Sequence, residues 1–126
     1  MGSYATYLKL INSTNKKIST SVSEVNSYDW DGVSRPDKNY NGITIGPNNS
    51  VENREELNSN SRGAWYRLTL TFDNGDVISF RNDQYDARNG IQSPRYYNIE
   101  GLQANNYLLI QQVDKDNAIN IFTVVE

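Results

Sequence analysis

The residues best suited to chemistry in this sequence are aromatic side chains in polar segments rich in Asn, Ser, Gly and Pro. Such rings combine apolar faces with hydrogen-bonding rims, which suits stacking on a sugar or settling at a membrane interface. Trp65 instead alternates onto the polar face of a predicted strand beside Arg67, where a cation–π pair or a docking surface can form. We predict a lipid- or glycan-binding site from these rings, which are Trp30, Tyr28, Tyr85, Tyr40, Tyr96, Tyr97 and Trp65. The alternative is that half of the loop rings pack over the ends of the fold.

The composition removes most catalytic chemistry. The chain has no His and no Cys, which excludes Ser-His-Asp and Cys-His nucleophiles, thiol redox chemistry and zinc sites of the usual type. An enzyme would depend on carboxylates, and Glu52, Glu55 and Glu56 form the closest set, with Arg54 between them as on a solvated face. Glycosidase carboxylates face one another across about 5–10 Å, whereas alternation along a strand separates Glu55 from the other two. We predict that the protein is not an enzyme and keep a carboxylate-dependent hydrolase as an alternative of another class.

Asp29, Asp31 and Gly32 resemble the start of a calcium-binding loop. A helix-loop-helix site needs a Glu at the twelfth position of that loop, and Tyr40 stands there. The first role of such Asp-rich turns is turn formation. We therefore predict no metal and no other cofactor.

The charge of the chain limits its partners. The net charge is −3 and the basic residues are scattered, which argues against nucleic acid and against electrostatic attachment to anionic lipid. Eighteen Asn and nine Tyr provide polarity without charge. Membrane binding would therefore depend on aromatic contacts and headgroup hydrogen bonds, which favours zwitterionic or glycosylated lipids.

Two alternating runs within AWYRLTLTFDNGDVISFR meet at Asp73-Asn74-Gly75 and predict an antiparallel hairpin. A two-residue loop would oppose Leu70 to a polar Ser. A three-residue loop with Gly75 in the left-handed region pairs Leu70 with Ile78 and Leu68 with Phe80, which keeps the large apolar side chains on one face. We predict the three-residue loop, and Tyr66, Phe72, Phe80 and Phe122 as core residues.

Strand patterns recur along the rest of the chain, and no segment of ten residues has a helical period. Residues 4–11 and 16–23 predict a second hairpin, and residues 107–113 and 118–125 predict a closing strand pair. Weaker strand patterns lie at 40–45, 50–57 and 96–99. We predict one domain over residues 1–126, an all-β, antiparallel β-sandwich with about eight or nine strands.

The layout of the whole chain resembles the aegerolysins and the related small component of binary insecticidal crystal toxins. Four segments are similar to the family's opening strands, Trp- and Asp-containing loop, central hairpin and closing hairpin, and these are SYATYLKLINSTNKKIS, SYDWDGVSRPDKNYNGITIGPNNSVE, NSRGAWYRLTLTFDNGDVISFRND and NNYLLIQQVDKDNAINIFTVV. By position, the resemblance carries the binding role first to Trp30, then to Tyr28 and Tyr85.

The resemblance implies recognition of a membrane sphingolipid or glycolipid and pore formation with a larger protein partner, with oligomers able to form on the membrane. A lectin or adhesion module that binds carbohydrate without membrane damage is the alternative. The start MGSYATYLKLIN lacks the regions of a classical signal peptide. We therefore expect a protein that is cytoplasmic or inclusion-forming in the producing cell and is released to act extracellularly on target membranes.

Overall fold

The computed structural model describes residues 4–25, 30–31, 35–58, 64–84, 99–101, 103–114 and 116–126. Their eight strands are β1 (Tyr4–Ser13), β2 (Ile18–Ser23), β3 (Thr44–Ile45), β4 (Ser50–Leu57), β5 (Ala64–Phe72), β6 (Val77–Gln84), β7 (Leu108–Asp114) and β8 (Ile119–Val125). The helical elements in these ranges are a single α-turn, α1 (Pro36–Asn39), and a 3₁₀ turn at Ala104–Asn106. No helix within the described ranges is long and apolar enough to cross a bilayer.

The strands form two four-stranded sheets that pack together as a β-sandwich, which confirms the predicted all-β class. Sheet A has the order β4-β1-β8-β7, and sheet B has the order β3-β2-β5-β6. The first and last strands, β1 and β8, pair in parallel, whereas the other strand pairs within the two sheets are antiparallel. The sandwich is therefore mainly antiparallel, as predicted, with one parallel strand pair at the centre of sheet A.

The central hairpin has the predicted register. Leu68 pairs with Phe80 and Leu70 pairs with Ile78. The Phe72 amide donates to the Asp76 carbonyl at 2.8 Å, which leaves a three-residue loop ending at Gly75 with φ +93°. A glycine tolerates this left-handed conformation without a Cβ clash.

The predicted hairpin of the first two strands is wrong, because β1 lies in sheet A and β2 in sheet B. Asn12 fixes the crossing between them. Its amide nitrogen donates to the carbonyls of Lys16, Ile45 and Gly46 at 2.7–3.1 Å, and its oxygen accepts from the amide and the hydroxyl of Thr14. One buried amide thus holds together the crossing and the turn that precedes β4.

The interior between the sheets is apolar over most of its length. Phe80 lies against Phe122 with ring centroids 4.8 Å apart, and Phe72 stacks on Tyr107 at 4.0 Å. All four residues predicted as core are buried. The largest fully buried side chains are Tyr40, Tyr66, Phe72, Phe80, Phe122, Leu8, Leu10, Ile18, Leu57, Leu68, Leu70 and Ile78.

The remaining strand predictions differ in their outcome. The closing pair is confirmed as β7 and β8, and the pattern at 50–57 coincides with β4. Of the strand predicted at 40–45, only Thr44 and Ile45 form a strand, β3. The residues before them follow directly on α1, which ends at Asn39. Residues 96–98 of the 96–99 prediction lie outside the described residues.

We expect Asn12→Ala to lower the free energy of unfolding by about 1–3 kcal/mol, because buried carbonyls lose their donor. Urea unfolding followed by circular dichroism measures the change. Asn15→Ala is the matched control, since Asn15 lies in the same turn and is exposed. Equal stability of the two variants would contradict this role of Asn12.

Candidate functional site

One end of the sandwich holds Trp30, the residue to which the resemblance first assigned the binding role. At this end β1, β5 and β8 begin and β2, β4, β6 and β7 terminate, as the strand pairings require. We call it the loop end. Trp30 forms its backbone bridge here, with Leu57 at the end of β4. The loop end is therefore one candidate position for the binding site.

Trp30 lies in the interior of the loop end and is 3 % exposed. Its ring meets the Tyr66 ring edge-to-face, with centroids 5.6 Å apart, and its backbone forms an antiparallel bridge with Leu57. The indole nitrogen lies 3.5 Å from the Trp65 carbonyl oxygen. The open loop position expected for Trp30 is therefore absent, because strand-like pairing and a buried tyrosine hold the ring inside.

Tyr40 is fully buried as well. Its hydroxyl donates to the Leu8 carbonyl and accepts from the Asn53 amide at 2.9 Å, so it joins β1 to β4. Burial raises the pKa of this phenol, and the nearby Glu55 raises it further. The exposure expected for Tyr40 is likewise absent, whereas binding roles for Trp30 and Tyr40 stay predictions.

Trp65 is half-buried on the outer face of sheet B. The predicted cation–π contact forms with a different arginine, since the Arg81 guanidinium lies 4.2 Å from the ring centroid. Arg81 also pairs with Asp83 at 2.8 Å. Arg67, which the sequence placed beside Trp65, forms ion pairs with Glu24 and Glu100 instead. Among the predicted rings that the structure describes, Trp65 is therefore the one that stays partly accessible to a ligand.

Four further site predictions lie outside the described residues, and these are Tyr28, Tyr85, Tyr96 and Tyr97. They stay predictions.

Sequence reasoning missed a cleft of about 490 Å³ on the outer face of sheet A, close to the loop end. We call it the β1–β8 cleft, and its lining residues are Ala5, Tyr7, Glu52, Asp116, Asn117, Ala118 and Ile119. Period-two alternation in β1 places Tyr7 on the outward face, since the next residue, Leu8, is buried. The strand pattern alone does not indicate a binding role for this ring. The available signal was a tyrosine on an outward face next to the Asp- and Asn-rich turn before β8.

The β1–β8 cleft combines one aromatic ring with two exposed carboxylates. Tyr7 is half-buried, and Glu52 and Asp116 are exposed. The Tyr7 amide donates to the Ala118 carbonyl at 2.9 Å, which joins β1 to the turn carrying Asp116. The side-chain amide of Asn117 donates a hydrogen bond to the Asp114 carboxylate at 2.9 Å, which fixes the position of Asn117. An aromatic face beside carboxylates can hold an ammonium group or the hydroxyls of a sugar.

The glutamates weighed as catalytic residues do not converge. Glu52 and Glu56 face outward, whereas Glu55 faces inward and is fully buried. Its carboxyl oxygen lies 2.9 Å from the Tyr66 hydroxyl, and burial raises its pKa well above the ordinary value. The solvated face expected around Glu55 is therefore wrong for this residue. No group of three metal-ligating side chains occurs in the part of the chain that the structure describes.

We expect Trp30→Ala to lower the free energy of unfolding by about 3–5 kcal/mol, the usual cost of truncating a buried Trp. Urea unfolding followed by circular dichroism gives the value. Trp65→Ala is the matched control, because Trp65 is half-buried on the surface and its truncation should cost less. A Trp30→Ala protein as stable as the parent would show that the ring is not part of the core.

No protein-family model matches the sequence, and no curated protein sequence matches it. The chain is similar to the crystal structure of IP-1A from Alcaligenes faecalis, at 13 % identity and a TM-score of 0.61, over 98 % of this chain and 91 % of that one. It is also similar to the RahU protein in complex with a Tris molecule, at 7 % identity and a TM-score of 0.56, over 96 % and 93 %. These likenesses show a shared fold, and that fold is aegerolysin-like.

Proposed function

We propose that this protein is a non-enzymatic membrane-lipid-binding component of a cytolytic or insecticidal pore-forming toxin, and that it acts with a larger partner protein. The observation that carries the binding part is the β1–β8 cleft, which Tyr7 lines together with Glu52 and Asp116. The toxin and partner parts rest on the aegerolysin-like fold, since resemblance to that family implies them.

The chemistry of the cleft favours a zwitterionic or glycosylated headgroup. A quaternary or primary ammonium can lie over the Tyr7 ring while the carboxylates balance its charge. The net charge of −3 opposes attraction to anionic lipid. RahU, which shares the fold, binds Tris, a small ammonium that also carries hydroxyl groups. The headgroup of sphingomyelin or ceramide phosphoethanolamine presents the ammonium, and the headgroup of a glycolipid presents the hydroxyl groups.

We expect the protein to co-sediment selectively with liposomes of phosphatidylcholine that contain sphingomyelin, ceramide phosphoethanolamine or a glycolipid. Tyr7→Ala should weaken this binding by at least about 1 kcal/mol, as expected of an aromatic hot spot. The double variant Glu52→Gln, Asp116→Asn keeps the shape of the cleft and should weaken binding to ammonium-bearing lipids only. Thr71→Ala, an exposed change on sheet B, is the control, and circular dichroism checks that each variant is folded.

Two results would contradict the proposal in different ways. Full binding by a folded Tyr7→Ala protein would move the site away from the β1–β8 cleft, and Trp65 would be tested next. Absence of binding to every liposome, together with binding to free sugars on a glycan array, would support the lectin alternative. Permeabilisation of the same vesicles, with and without extracts of the producing cell, tests the partner.

A further inference from the structure

The interior at the loop end is polar, in contrast to the apolar core beside it. Six neighbouring polar side chains from both sheets are at most 3 % exposed, and these are Thr6, Glu55, Tyr66, Asn82, Gln84 and Asn120. Buried polar groups cost free energy unless each finds a hydrogen-bond partner. The hydrogen positions in this cluster can therefore be deduced from the partners. Side-chain hydrogen bonds link five of these residues in series, from Asn120 through Asn82, Gln84 and Tyr66 to Glu55. We call this series of hydrogen bonds the polar chain.

The direction of the polar chain is fixed at Asn120. One atom of its side-chain amide lies 3.1 Å from the Asp83 backbone carbonyl, which can only accept, so that atom is the nitrogen. The same nitrogen lies 2.6 Å from Asn82 Oδ1. On its other side, Asn120 Oδ1 accepts from the Gln111 amide at 2.7 Å. The orientation of Asn120 is therefore set by a backbone group.

The next two amides follow from this orientation. Asn82 Oδ1 is used by Asn120, so Asn82 Nδ2 faces Gln84 Oε1 at 2.7 Å. Gln84 Nε2 then donates to the Thr6 hydroxyl at 3.1 Å. As a result, Gln84 presents an acceptor to the Tyr66 hydroxyl, at an oxygen–oxygen distance of 3.1 Å.

The Tyr66 hydroxyl accepts from the Asn82 amide and carries one hydrogen of its own, but it has two oxygen neighbours, Gln84 Oε1 at 3.1 Å and Glu55 Oε1 at 2.9 Å. If Tyr66 donates to Gln84, the contact with Glu55 needs a hydrogen from the carboxyl group. If Tyr66 donates to an ionised Glu55, two bare oxygens face each other at Gln84. Only a protonated Glu55 therefore gives every contact of the polar chain its own hydrogen.

Among the described residues, none forms an ion pair that would compensate a negative charge on Glu55. The titratable groups that face it are Tyr66 on β5 and Tyr40 after α1, while β1 and β6 contribute Thr6 and Gln84, which do not titrate. None of the ion pairs between described residues includes Glu55. Glu55 Oε2 also lacks a hydrogen-bond partner among those residues. Burial raises the pKa of the carboxyl, in agreement with the hydrogen count.

Trp30 and Asp31, which we call the Trp30 segment, are held beside β4 and Tyr66. The Trp30 ring packs on Tyr66, the partner of Glu55, and the Trp30 backbone bridges Leu57. The Asp31 amide donates to the Glu56 carbonyl at 2.8 Å. We infer that the polar chain is a pH-sensitive switch, in which protonated Glu55 keeps Tyr66 and Trp30 in the interior and loss of the proton releases the Trp30 segment.

The sign of the pH effect follows from linkage. In the unfolded chain the Glu55 carboxyl ionises near its ordinary value of 4.5, whereas the folded protein retains the proton to a higher pH. The folded state therefore binds more protons above that value, and the contribution of Glu55 to stability falls as the pH rises toward the folded pKa. Release of Trp30 is expected on the alkaline side.

Fluorescence of Trp30 tests the switch. The chain has two Trp, so Trp65→Phe leaves Trp30 as the single reporter. As the pH is raised from the ordinary carboxyl range toward the alkaline side, emission of this variant should shift to longer wavelength, and acrylamide quenching should rise about twofold. Adding Glu55→Gln should abolish the change, because its amide nitrogen donates to Tyr66 at every pH. An unchanged emission in folded Trp65→Phe protein, or the same shift with Glu55→Gln, would overturn the inference.

A second measurement needs no substitution. In protein labelled with ¹³C at the glutamate side-chain carboxyls, the NMR titration follows the six Glu of the chain. One carboxyl should titrate well above the other five. If all six titrate close to their ordinary pKa, Glu55 is not held as the neutral acid and the switch does not exist.

Discussion

The hydrogen bonds between Glu55, Tyr66 and Gln84 join β4 of sheet A to β5 and β6 of sheet B at the loop end. Elsewhere the sheets contact each other mainly through apolar side chains, which are non-directional and tolerate small shifts. The polar contacts have fixed directions, and an unpaired member is costly in a low-dielectric interior. They therefore set how the sheets meet at the end that carries the candidate site, and the Trp30 ring depends on the position of Tyr66.

Local sequence pattern predicts the structure correctly where neighbouring residues decide it, as in the central hairpin. Alternation and turn length fixed the register of β5 and β6, since only one register keeps Leu68, Leu70, Ile78 and Phe80 on one face. Local pattern does not determine which of the two sheets a strand joins. Alternation in β1 and β2 is compatible with a hairpin, but the partners of β1 are β4 and β8. Those pairings are distant in the sequence and leave no local signal.

The candidate site was predictable only in part, because a loop position does not determine burial. Trp30 lies between polar residues in the sequence, yet its bridge to Leu57 turns the ring inward. Glu55 shows the reverse case. It has the same parity as the buried Leu57, which indicated an inward side chain, but a carboxyl group there conflicts with the usual preference for apolar core residues. The conflict between parity and residue type was the available signal that Glu55 is special.

The parallel pairing of β1 with β8 has a consequence for how the protein is made. Sheet A has β1 and β8 at its centre, so β1 gains this central neighbour only when residues 119–125 have been synthesised. Sheet B needs no residue beyond Gln84 to pair its four strands. Contacts so distant in sequence slow folding. The nascent chain can therefore assemble sheet B while the edge of β1 that pairs with β8 still lacks its backbone hydrogen-bond partners.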